Sequence, residues 1–288
     1  MTGFALALVL LSAVIHASWN LLAKRAGKSG SVAFIWLFTA LSAAFYAPFV
    51  IAVIIVKRPS FGMTELLFIG GSAVLHVLYF LALQNGYKVG DLSLVYPLAR
   101  GTGPLLATLS AVLWLGEKPS LLALGGALLI CIGVFVIAGG TRRDGRGEPY
   151  KAILYALLTG LCIAAYTIWD KYSVGLLLIN PIIYEWCVNA CRNLTLIPAA
   201  LRKRDEVKSV WRAHRREVLG VAILGPLSYI LMLTAMVTSP VSYVAPAREV
   251  GILVGAALGS RVLAEGQSRL RLASASAIVA GVVFLALG

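Results

Sequence analysis

His16, Trp19 and Asn20 fall at i, i+3 and i+4, so a helix presents all three on one face. An imidazole, an indole and an amide offer hydrogen bonds beside aromatic surface, a wall suited to a small organic solute. Their competing role is to bond neighbouring helices to one another. His76, Tyr79, Phe80 and Leu83 share a second face, where rings with polar tips suit a pocket for such a solute. Tyr96 precedes Arg100 by one turn, Tyr166 and Trp169 share a face, and Tyr229 and Tyr243 follow later in the chain. Arg100 and Arg248 each stand two to three residues beyond a proline. Proline fits the first turn of a helix, and a helix N-terminus already favours anions. Each arginine is therefore placed to meet a carboxylate or another anion. The alternative is a structural pair with a buried acid, for which Glu249, Glu185 and Asp170 are available.

Further polar groups lie in apolar sequence. Glu185, Asn189 and Arg192 make one stripe at i, i+4 and i+7, which must face protein or water. Asp170 stands beside Lys171 and reads as a residue at a helix end. Glu117 and Glu265 read as helix-end or loop positions with a structural role. No phosphate loop, HExxH, GxSxG or spaced cysteine pair occurs, so neither catalytic residues nor a metal or cofactor are expected. Cys131, Cys162, Cys187 and Cys191 all lie in apolar runs and read as small buried residues.

The elements that must position these groups follow from composition. The chain has 288 residues, 60% apolar and 13% charged. About a quarter charged is usual for a soluble domain, so a soluble globule and a disordered chain are both excluded. Charges cluster in islands between apolar runs long enough to cross a bilayer. Ten spans are predicted, near 3–22, 32–56, 66–87, 92–115, 121–138, 152–170, 181–201, 218–237, 241–260 and 272–287. The first carries no positive leader and reads as a membrane helix. The segments 139–151 and 202–217 read as loops, the second strongly basic and placed at the headgroups. The net charge of +13 is assigned to lipid headgroups and orientation, with no nucleic acid as partner. Loops after odd-numbered spans hold 18 Lys and Arg and those after even-numbered spans hold 4, which puts the odd loops in the cytoplasm and both termini outside.

The two halves resemble each other. Arg100, Gly103 and Glu117 match Arg248, Gly251 and Glu265 in one register, and Trp19-Asn20 lines up with Trp169-Asp170. The expected organisation is a repeat over 1–138, a linker over 139–151 and a second repeat over 152–288. Five spans per half is odd, so the second repeat enters the membrane inverted, with a central cavity between the halves. The fold class is thus all-α integral membrane, with two inverted five-helix repeats.

With His16-Ala-Ser-Trp19-Asn20, the run from Gly90 to Pro97, Ala99-Arg100-Gly101 and the Gly-Glu and Ala-Glu pairs at Glu117 and Glu265, the chain resembles the EamA family of the drug/metabolite transporter superfamily. That resemblance implies a secondary transporter in a bacterial-type inner membrane, exporting small organic solutes. Amino acids, aromatic and hydrophobic ones included, are the expected cargo, and a monomer suffices because both halves are present. The family also implies cytoplasmic termini, against the charge count. A drug or lipophilic-cation exporter of the same fold is the alternative. Small relatives of that kind use a glutamate in the first helix, where this chain has His16 and Asn20. A membrane-embedded enzyme or assembly factor is the reading from another class.

Overall fold

A computed structural model describes residues 1–26, 31–89, 92–139, 149–254 and 269–288. Their regular structure is helical: α1 Gly3–Arg25, α2 Val32–Lys57, α3 Met63–Val89, α4 Leu92–Trp114, α5 Leu121–Gly139, α6 Pro149–Lys171, α7 Pro181–Arg202, α8 Arg204–Thr238, α9 Val241–Arg248 and α10 Arg269–Leu287. A π-helical turn, Tyr172–Leu176, continues α6, and further helical turns over 250–254 follow α9. Glu265 and most of the linker lie outside the described residues.

Length and composition make five segments able to cross a bilayer: Gly3–Ala23, Val32–Lys57, Met63–Val89, Tyr150–Leu176 and Arg204–Thr238. Leu121–Val136 and Ser276–Leu287 are apolar but shorter. The prediction of ten spans is thus met by composition in five. The α7 helix is long enough but carries Glu185, Asn189, Arg192 and Asn193. Lipid is nevertheless the solvent around this chain. Large apolar side chains such as Phe4, Ile55, Leu67 and Leu121 stand exposed, while Arg100, Asp170, Glu185, Asn189, Arg248 and Glu249 are buried. That inversion is stable only where the surroundings are apolar. The chain is a multi-pass membrane protein.

Helix α1 packs on α8, α3 and α4 pack on α6, α2 packs on α7 and α8, and α5 packs on α10. The α4–α9 contact closes the centre. Without a hydrophobic drive between helices in lipid, close approach over small residues supplies much of the packing energy. A Cβ at Gly126 would meet the backbone oxygen of Gly281, and one at Gly281 would meet that of Gly126. Gly71 likewise leaves room for the indole of Trp169, which joins α3 to α6.

The segment 202–217 differs from the expected loop. It is helical from Arg204, with non-helical angles at His214, so α8 is two helices merged across a kink. Composition hid the helix because its outer face is charged. Its inner face, Val207 and Val210, packs against Ala23, Ala26 and Phe34. Ser31 secures it, donating to Glu206 Oε1 at 2.6 Å while it accepts from Phe34 N at the start of α2.

Replacing Gly126 by Leu should force α5 and α10 apart, since the obstacle is backbone that cannot rotate away. The expected outcome is a loss of the monodisperse species, or a Tm lowered by several degrees, in detergent gel filtration and thermal melts. Gly125→Leu, with open space at its Cβ, should leave both unchanged.

Candidate functional site

The interior site is built from one carboxylate outward. Asp170 lies on the last turn of α6 and is fully buried. Ser72 Oγ of α3 donates to its Oδ1 at 2.7 Å, and Tyr184 OH of α7 donates to the same oxygen at 2.6 Å. Tyr229 OH of α8 donates to Oδ2. Three hydroxyls from three helices therefore converge on one acid. A buried anion needs such donors, because its loss of hydration is otherwise uncompensated.

Aromatic groups continue outward. His76 Nδ1 lies 2.9 Å from the Ser72 carbonyl oxygen, which only accepts, so that nitrogen carries the proton. The imidazole stacks on Tyr166 at 4.3 Å between centroids and meets the edge of Tyr229 at 5.6 Å. Tyr79 meets Tyr166 edge-on at 5.7 Å. The guanidinium of Arg248 lies over the Tyr229 ring, 5.3 Å from its centroid, within the range of a cation–π contact.

The remaining charges pair directly. Arg100 Nε lies 3.1 Å from Glu249 Oε2, joining α4 to the residue after α9. Arg192 Nη2 lies 3.1 Å from Glu185 Oε1, and both belong to the α7 stripe. This stripe bonds to α2: Asn189 Nδ2 donates to Thr39 O, and Asn193 Nδ2 to Trp36 O and Thr39 Oγ1, while the buried Arg192 Nε has no hydrogen-bond partner among the described residues.

Arg100, Arg248 and Glu249 line a cleft with Pro104, Ile163 and Met232. It is narrow, with free space for little more than a water-sized sphere. A solute-sized chamber, expected between the halves, is absent among the described residues. The interior is closed around its charges.

Of the residues expected at a site, His76, Tyr79, Tyr166, Tyr229 and Arg248 come together, and Arg100 reaches the same cleft through Glu249. His16 and Trp19 meet edge-on at 5.0 Å, and His16 lies within electrostatic reach of Arg248 and Arg100. The buried His16 Nδ1 and Trp19 Nε1 atoms have no hydrogen-bond partner among the described residues. Asn20 is exposed, and its amide donates to His16 O of its own helix. Phe80 is half-buried on α3. Trp169 turns sideways, stacking on Phe68 at 4.5 Å and donating from Nε1 to Phe68 O at 2.7 Å. Tyr243 lies apart from the cluster, accepting from Ser120 N and donating to Gly288 O. The side chain of Tyr96 lies outside the described residues.

Sequence reasoning missed Asp170 as a centre, together with Ser72 and Tyr184. Lys171 beside it suggested a helix end at the interface, but Tyr172–Leu176 carries the apolar segment onward. The Trp19-Asn20 match to Trp169-Asp170 was the signal that could have raised it. Lys171 instead donates to Met236 O at 2.6 Å and Ser239 O at 3.1 Å, satisfying carbonyls at the end of α8.

At the same end, Glu117 accepts from Val241 N at 2.6 Å, Ser242 N at 2.9 Å and Ser242 Oγ at 2.6 Å. These amides open α9 and have no partner within it. A carboxylate there is favoured by hydrogen bonding and by the helix dipole.

Residues 3–139 match the sequence profile of the EamA-like transporter family. The match spans α1–α5, just under half of the chain, and this part is what is similar to the family. The EamA-like segment is α1–α5, which supplies Ser72, His76 and Arg100 to the site. That family lies in the drug/metabolite transporter superfamily, and the match points to a transporter of small solutes. A solved crystal structure is 16% identical, covers 100% of this chain and 98% of its own, and has a TM-score of 0.79. At that identity the likeness establishes the fold alone.

Glu117→Ala should cost about 1–2 kcal/mol, the usual loss for a removed helix cap. Thermal melts in detergent should show a lower Tm for this variant, with Lys118→Ala, exposed and next in sequence, unchanged.

Proposed function

We propose that the chain is a secondary transporter that exports small organic solutes by alternating access, with amino acids, aromatic and hydrophobic ones included, as cargo. One observation carries this reading. Arg248 is buried, lines the cleft and makes no direct ion pair among the described residues, its nearest acids Glu249 and Glu185 acting only through space, while its guanidinium lies over the Tyr229 ring beside His76 and Tyr166. A buried cation without a direct ion pair is costly and is retained where a ligand supplies the anion. The carboxylate of an amino acid has the matching chemistry, and the rings and methionines nearby suit an apolar side chain.

The packing supports two repeats over 1–138 and 152–288. Exchanging α1–α5 with α6–α10 maps the α1–α8 contact onto α6–α3 and the α4–α6 contact onto α9–α1. It maps α2–α8 onto α7–α3 and returns α2–α7, α4–α9 and α5–α10 to themselves. In this reading ten helices span a bacterial-type inner membrane as inverted halves. The halves rock about the buried charges, the narrow cleft is a closed state, and lipid is the other partner. One chain contains both halves and acts as a monomer.

One observation favours the second reading, a lipophilic-cation exporter: Asp170 is a buried acid ringed by Tyr166, Tyr184 and Tyr229. Cation–aromatic attraction and an interior carboxylate suit a quaternary ammonium compound.

Counterflow in liposomes separates the two. A labelled panel of neutral amino acids should accumulate with the wild-type chain, and Arg248→Ala should reduce the rate at least about tenfold, as expected when a buried charge partner is removed. Flux of quaternary ammonium compounds in place of amino acids, with Arg248→Ala harmless, would establish the cation reading instead.

A further inference from the structure

Among the described residues, two pairs of interior charges meet directly, and one acid and one base do not. Arg100 meets Glu249 directly, and Arg192 meets Glu185 directly. The acid and base that remain, Asp170 and Arg248, are joined through a phenol. Tyr229 turns its hydroxyl to Asp170 Oδ2 and its ring face to the Arg248 guanidinium. A donor thus meets the anion, and a negative π-face meets the cation. An ammonium and a carboxylate on one small molecule would present the same two polarities to the same two groups, more strongly at both ends.

We propose that Asp170 and Arg248 are the two ends of a receptor for a zwitterion, and that the Tyr229 side chain stands in for this solute while the cleft is closed. The inference rests on the transport reading and deepens it by naming the recognition groups. Asp170 keeps two donors on Oδ1, Ser72 and Tyr184, and Tyr229 is the hydrogen-bond donor on Oδ2. When Tyr229 turns away, one oxygen is released to a ligand ammonium while the acid stays anchored. Arg248 is 9% exposed on the cleft, and its Nε has no hydrogen-bond partner among the described residues. That N–H is a donor available to a carboxylate.

The surroundings agree. Tyr229 stands three residues after Pro226, inside α8, where proline removes a helix hydrogen bond and gives the backbone freedom to shift. Arg248 ends the short α9. The imidazole of His76 and the ring of Tyr166 flank Tyr229, and Met232, Met236 and Ile163 line the cleft beside Arg248. An apolar or aromatic side chain on the zwitterion would lie against these groups.

Counterflow of labelled phenylalanine tests this with three unlabelled competitors: phenylalanine, phenethylamine, which lacks the carboxylate, and 3-phenylpropionate, which lacks the amine. For the wild-type chain the two half-ligands should compete about a hundredfold more weakly than phenylalanine, because each leaves one buried charge unmet. In Asp170→Asn, 3-phenylpropionate should compete as well as phenylalanine, with phenethylamine still poor. In Arg248→Gln the order should reverse, with phenethylamine gaining. Tyr229→Phe should lower KM about tenfold with little change in maximal rate, since cargo no longer displaces a hydroxyl from the acid. Equal competition by all three compounds in the wild type overturns the receptor and leaves transport standing. Equal weakening of all three in both charge variants, the signature of a structural role, also overturns the receptor alone. Should Asp170→Asn fail to fold, a KM for Tyr229→Phe that is unchanged or higher overturns it. Absence of flux for phenylalanine and every other neutral amino acid overturns the transport reading and the receptor together.

Discussion

The cost of holding ionised groups inside a lipid-bounded protein constrains this structure more than any other term. Association in lipid has little directional drive, because the tails are as apolar as the side chains. Charges change that. Asp170 demands donors, and it draws Ser72, Tyr184 and Tyr229 from α3, α7 and α8 to one point on α6. The Arg100–Glu249 pair ties α4 to the end of α9 in the same way. A misplaced helix would strand a charge, so the polar interior excludes wrong arrangements that apolar packing alone would tolerate. Its contribution is to selectivity of arrangement more than to net stability, since desolvation offsets much of the attraction in each pair.

The rest of the fold serves this interior. Gly126 and Gly281 let α5 and α10 meet backbone to backbone, and Gly71 admits the Trp169 indole that fixes α6 against α3. Glu117 and Lys171 satisfy the amides and carbonyls on either side of the α8–α9 turn, so Tyr229 and Arg248 sit on helices with anchored ends. The Ser31–Glu206 bond does the same where α8 begins.

Hydropathy made the membrane class legible, because long apolar runs have one physical use. Helix α7 shows its limit: a polar seam lowers its hydropathy, although its partners Thr39 and Trp36 remove the cost of burial. Periodicity alone grouped His76 with Tyr79 and paired His16 with Trp19; in the structure His16 meets Trp19 edge-on, and His76 and Tyr79 each meet Tyr166. Direction around the helix axis was not legible. Trp169 shares a face with Tyr166 by spacing, yet its indole turns to Phe68, and Asn20 bonds back to its own helix. Asp170 was misplaced by its neighbour, since one lysine marks an interface only when the helix stops there. The charged start of α8 read as a loop because its helical signal is confined to Val207 and Val210 on the inward face.

Alternating access sets a requirement that a binding site alone does not. An empty carrier must also close, and closing strands whatever charges the cargo had satisfied. A ligand shifts such an equilibrium only by its difference in affinity between the states. If the empty closed state left Asp170 or Arg248 bare, its cost would trap the carrier open whenever cargo was absent. In the proposed cycle Tyr229 would remove that penalty by engaging both groups at once, more weakly than a zwitterion would at each end. The compromise is quantitative: a better stand-in would outcompete the cargo, and a poorer one would stall the return of the empty carrier, a step that exchange in counterflow bypasses. A phenol, neutral but polar at both its edge and its face, lies between those limits, as neither Phe, which gives Asp170 no donor, nor Lys, which would repel Arg248, could.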